Sequence, residues 1–127
     1  MKRKFDVAAA LATLTDQQRK TLLFRAIGTN KDAAVVALIS AGADVNVVGK
    51  GGLTPLHVAT KVGSKQAAEL LLANGATCDA QDRDGNTPLH VAADGGYADI
   101  VRLLLSHGAR PNIANANRDI ALHYAAN

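Results

Sequence analysis

Residues 54–59 and residues 87–92 spell the same hexapeptide, TPLHVA, one step of 33 apart, and a chain that repeats itself at this period has few ways to fold. A further step reaches Ile120, where IALHYA is an imperfect copy, and one step back from Thr54 lands on Thr21 in TLLFRA. Gly42, Gly75 and Gly108 keep the same register, as do the pairs Leu38-Ile39, Leu71-Leu72 and Leu104-Leu105, with no insertion or deletion between them. A unit of this length cannot bury its own apolar flank. Its neighbours must cover it, so the units stack.

The best-formed unit, residues 82–115, can be read from its chemistry. Thr87 is an N-cap and Pro88 follows at the first helical position, where a missing N–H costs nothing. That helix ends at Gly95-Gly96. A second runs from about Tyr97 to His107 with Ile100, Val101, Leu104 and Leu105 at helical spacing, and Gly108 supplies a left-handed C-cap. Asp84-Gly85 suits a tight projecting turn. In the first unit, Thr15-Asp16-Gln17-Gln18 fits a capping box, so its helix is expected over residues 16–27.

A 33-residue period carrying T-P-L-H-x-A, two short helices and a turn closely resembles the ankyrin repeat, over about residues 15–127. The resemblance implies an all-α solenoid of stacked helix-turn-helix units with projecting β-turn loops. One domain is expected: repeats at 15–48, 49–81 and 82–114, and a partial or capping repeat at 115–127. Ahead of them DVAAALATL resembles DIVRLLLSH at 99–107, which predicts an N-terminal capping helix over 5–14. At the far end the last unit has one helix only, Arg118 stands in the place of Gly52 and Gly85, and Ile120-Ala121 replaces Thr-Pro. A piece of a longer array is the expectation, with self-association through the C-terminal face around Leu122 and Tyr124.

Composition narrows the function. Hydrophobic residues make up 48% but aromatics only 3%, so Ala, Leu, Val and Ile must form the core. The opening MKRKFDVAAALATL superficially copies a secretory signal, yet its short Ala-rich run begins at Asp6, which fits a first amphipathic helix. Residues 1–31 carry seven basic and two acidic groups, the rest seven and nine, so charge is polarised along the chain. The single Cys78 cannot form an internal disulfide and fits a reducing, cytoplasmic setting.

His57, His90 and His123 occupy equivalent places in successive units. Stacked helices lie about 8–10 Å apart, and two Zn–N bonds of about 2.0–2.1 Å cannot span that gap. The resemblance implies a structural histidine bonded near the helix-start threonine, His57 with Thr54 and His90 with Thr87. Replacing His90 by alanine is expected to lower stability by about 0.5–2 kcal/mol, the scale of a lost hydrogen bond or cap. Asp94 and His90 lie four apart on one helix, but the register places no Ser or Cys nucleophile beside them. Cys78 falls where Val45 and Pro111 fall and reads as a partly buried spacer. His107 sits at a helix C-terminus, suited to the dipole there. The GKGG stretch at 49–52 lacks the phosphate-loop pattern and reads instead as a turn without the Asp82-type anchor, expected to be the most mobile of the turns. No catalytic residue, cofactor or metal is expected.

In ankyrin repeats, turn tips and the exposed side of the first helices form a concave surface that binds other proteins. Carried over by position, that surface comprises Val48, Lys50, Leu53, Lys61 and Val62 of the second unit, Gln81, Arg83, Asp84, Asn86 and Asp94 of the third, and Ala116, Asn117 and Asp119 of the fourth. Leu53 and Val62 are expected to point away from the stack. The reading is a non-catalytic protein-interaction module. A nucleic-acid-associated adaptor using the basic first segment is the alternative, although Phe5 and Phe24 there form no stacking pattern.

Overall fold

The fold is known from a computed structural model that describes residues 13–121. Residues 5–12 of the expected capping helix, and Leu122, His123 and Tyr124, lie outside the described residues. Six α-helices occur among those described: α1 Asp16–Gly28, α2 Asp32–Ser40, α3 Pro55–Val62, α4 Lys65–Ala73, α5 Pro88–Asp94 and α6 Ala98–Ser106. A short 3₁₀ turn at Lys50–Gly52 precedes α3. No strand is present among the described residues, and none of their helices is long and apolar enough to cross a membrane.

Each unit is a helix pair, α1 on α2, α3 on α4 and α5 on α6. Units then stack layer on layer: α1, α3 and α5 pack in sequence, and α2, α4 and α6 pack beside them. The core explains why the repeat is strict. Leu23, Leu56 and Leu89 are buried one step apart, as are Leu38, Leu71 and Leu104. Ala26, Ala59 and Ala92 fill the third such row, where only a methyl group lets neighbouring helices approach closely. Each buried leucine contributes about 1.5–3 kcal/mol. Leu105 shows what stacking removes: it is 44% exposed, whereas its register mate Leu72, with α6 against its helix, is 8% exposed.

Helix starts follow local chemistry. Thr15 caps α1 in a capping box completed by Gln18, whose Oε1 accepts from the Thr15 N–H at 2.8 Å. Thr54 and Thr87 cap α3 and α5, with Pro at the first helical position. Ser64 caps α4 by accepting from Ala67 N. The end of α6 is also as expected, with Gly108 at φ +89° just beyond it. His107 lies one residue past the last helical residue and is the C-cap itself rather than part of the last turn. At the fourth unit Ala121 is helical although Thr and Pro are missing before it.

Candidate protein-binding surface

The TPLH motif is a capping device extended by one bond to the next unit. His57 stands at the third helical position of α3, where a capping box ordinarily has Glu or Gln. Its Nδ1 accepts from the Thr54 backbone N–H at 3.1 Å, and the Thr54 hydroxyl lies 2.8 Å from the same nitrogen. A backbone N–H can only donate, so Nδ1 is bare and the ring proton sits on Nε2. That proton is donated to the Asn86 carbonyl of the following unit at 2.8 Å. His90 repeats the arrangement, with Thr87 N–H at 3.0 Å and the Asp119 carbonyl at 2.8 Å. Both rings are almost fully buried.

Burial pushes the His57 pKa below its ordinary value; the Asn86 carbonyl, the Asp82 charge and the Ala80 carbonyl oppose this without overcoming it. The unfolded chain then takes up a proton near pH 6.5 that the fold does not. For this group stability is flat above about pH 6.5, falls as pH drops below it, and levels off beneath the folded pKa. The urea midpoint is therefore expected to fall between pH 7.5 and pH 5.5, and by less in His57→Gln. Identical slopes in the two proteins would remove His57 as the cause.

The turns that project beside these helices are built alike. Asp82 Oδ1 accepts from the N–H groups of Asp84 and Asn86, each at 2.9 Å. Asn115 does the same for Asn117 and Asp119, so an amide oxygen serves as well as a carboxylate. Gly49 has no side chain to offer, and its turn is held by backbone bonds, Gly49 N to Leu53 O at 2.7 Å and Gly52 N to Gly49 O at 3.1 Å. Neighbouring turns are joined as well: Arg83 N donates to Gly51 O and Ala116 N to Asp84 O, both at 2.9 Å.

Of the residues assigned to the surface by position, Val48, Lys50, Lys61, Val62, Gln81, Arg83, Asp84, Asp94, Ala116 and Asn117 are exposed. Leu53, Asn86 and Asp119 are half-buried. Leu53 borders a cleft of about 290 Å³ between the second and third units, shared with Lys61, Val91, Asp94 and the edges of His57 and His90. Its register mate Asn86 lends its carbonyl to His57 and its side-chain oxygen to Asn115 Nδ2 at 2.9 Å. Asp119 lends its carbonyl to His90. These two carry the turns more than they display them. Lys61 and Asp94 stand one step apart, so the same helix end bears opposite charges on the two sides of the cleft.

Sequence reasoning missed a second set of inter-unit bonds. Asn46 donates to Gly75 O at 3.0 Å and accepts from Thr77 N at 2.8 Å; its register mate Asp79 accepts from Arg110 N at 3.0 Å. The signal was present as a polar residue one step apart at 46 and 79.

Among the described residues no group of three or more His, Cys, Asp or Glu side chains is placed to hold a metal ion. Cys78 is half-buried with its thiol 3.5 Å from the His107 carbonyl, and burial, then the charge of Asp79, raises its pKa. The thiolate is disfavoured, which makes Cys78 a poor nucleophile.

Comparison with known families gives two matches. Residues 4–82 match the family model for ankyrin repeats (3 copies), and residues 71–125 match that for ankyrin repeats (many copies). No curated protein matches the chain.

Proposed function

We propose that this chain, which belongs to the ankyrin-repeat family, is a non-catalytic module that binds a partner protein through the turns and first-helix face of its second and third units. Ankyrin repeats are in general protein–protein interaction modules. The observation that carries the reading is the cleft between α3 and α5, where Leu53 and Val91 lie among Lys61, Asp82, Asn86, Asp94 and the edges of His57 and His90. Exposed Val48 and Val62 extend the apolar contribution in the second unit. Apolar contact flanked by charges of both signs suits a polypeptide better than a phosphate backbone, which asks for uniform positive charge. A free, unreactive Cys78 supports a reducing setting such as the cytoplasm.

Charge reversal tests the face. With a partner captured on the immobilised chain, Arg83→Glu and Lys61→Glu are each expected to weaken binding by about tenfold or more, the scale of a contact worth at least about 1.4 kcal/mol. Lys65→Glu and Arg102→Glu, on the exposed side of α4 and α6, should leave affinity within about twofold. Loss of binding confined to the α4 and α6 variants would assign the partner to the opposite layer.

A further inference from the structure

Charged side chains are disposed differently on the two layers of the stack. On the layer of second helices they satisfy one another: Lys65 pairs with Glu69 on α4, and Arg102 with Asp99 on α6. On the face of turns and first helices, Lys50, Lys61, Arg83, Asp84 and Asp94 are exposed, and among the described residues none of their side chains has an ion-pair partner. A charge already paired on its own helix offers little field to a ligand. An unpaired one acts over a Debye length of about 8 Å at physiological salt.

These unpaired charges are sorted by unit. The second unit presents Lys50 and Lys61 and no carboxylate beside them; the third presents Asp84 and Asp94 with Arg83, and half-buried Asp82 adds a further carboxylate. Register sharpens the contrast, because Lys61 and Asp94 are one position a single step apart, as are Gly51 and Asp84. The cleft between α3 and α5 brings both signs to one place, with Lys61 and Leu53 from the second unit and Asp82, Val91 and Asp94 from the third. Equivalent positions on stacked helices lie about 8–10 Å apart, at least one Debye length, so the two signs stand side by side rather than cancelling. In an extended chain rising about 3.3 Å per residue, that gap spans about three residues.

We infer that the ligand of this face is a polypeptide segment of mixed charge, which rests on the proposed role of the face in binding a protein. An apolar side chain meets Leu53 and Val91, an acidic residue on its second-unit side meets Lys61, and a basic residue on its third-unit side meets Asp94. The order of charge sets register as well as affinity. Slipped by one unit in either direction, such a segment would bring its acid to Asp94 or its base to Lys61, and like charges reject the wrong seat. A uniformly acidic ligand suits Lys61 but is repelled by Asp82 and Asp94.

A library of random peptides of about twelve residues, displayed on phage and selected on the immobilised full chain, tests this. Peptides are retained whose binding falls at least about tenfold on Lys61→Glu with Asp94→Lys. Both positions are exposed, so the fold should survive, and Lys61→Gln with Asp94→Asn replaces that pair if circular dichroism shows otherwise. The retained peptides are expected to carry Asp or Glu and Lys or Arg about two to four positions apart, with an apolar residue between them. Changing a peptide's acidic residue to lysine should cost about tenfold or more, and the Lys61→Glu chain should bring the altered peptide back to within about threefold. Asp94→Lys should do the same for a peptide whose basic residue becomes glutamate. Face-dependent peptides lacking the opposite charges would overturn the inference and leave the binding face standing, as would absence of rescue or equally tight binding of a uniformly acidic peptide. Selection that yields no face-dependent peptide would remove both the inference and the proposed role of the face.

Discussion

Gly85→Ala is expected to lower the stability of the whole stack by about 2–4 kcal/mol, a large loss for one methyl group. Gly85 has φ +77°, and a Cβ placed on it would lie 2.9 Å from the backbone nitrogen of Ala116. That nitrogen donates to Asp84 O across the unit boundary. Alanine must therefore bear the cost of the left-handed conformation and also push the next turn away, losing the bond. Gly52, one step earlier at φ +76°, meets Arg83 N at the same 2.9 Å and should behave alike. Arg118 occupies the third such place and keeps a left-handed φ of +65° without being glycine. Arg118→Gly relieves the left-handed conformation of a side chain-bearing residue and should gain about 1 kcal/mol. Urea midpoints of the three variants check the order. A Gly85→Ala loss no larger than the Arg118→Gly gain would mean that the turns do not press on one another.

These glycines also show where sequence reading stops. Capping, helix ends and the rows of buried Leu and Ala were legible because each depends on residues a few positions apart, with the 33-residue step confirming each one independently. What stayed hidden lives between units. Nothing in TPLH says that Nε2 reaches a carbonyl 29 residues further on, and nothing in Asn46 or Asp79 alone says that they stitch one unit to the next. Such bonds depend on the spacing between stacked helices, which the side chains of both units set together. The same spacing half-buries Leu53 beside a cleft and commits the carbonyls of Asn86 and Asp119, so these three are less exposed than the other residues placed on the surface by position. For GKGG the sequence foresaw the missing anchor but not the 3₁₀ turn and backbone bonds that stand in for it.

His57→Ala separates the two halves of the repeat motif most sharply. The side chain is 1% exposed, so its removal leaves a void, strips the Thr54 N–H of its acceptor and leaves the Asn86 carbonyl without the ring's proton. The expected loss is about 2–4 kcal/mol, beyond the 0.5–2 kcal/mol, roughly, that a cap alone provides. His57→Gln is the informative companion. In α1 the capping-box partner is Gln18, which shows that a glutamine at this helical position can accept from the N-cap N–H. A glutamine at 57 can rebuild that bond but cannot at the same time extend to the Asn86 carbonyl of the next unit. It should therefore recover the cap and lose the inter-unit bond, placing His57→Gln about midway between the native chain and His57→Ala. Full recovery by glutamine would mean that the bond to Asn86 contributes nothing to the stack. No recovery at all would mean that histidine stabilises by joining units rather than by starting helices. Partner affinity, measured below the melting temperature of each variant, is expected to change little, because the His57 side chain is 1% exposed whereas Lys61, Arg83 and Asp94 are exposed.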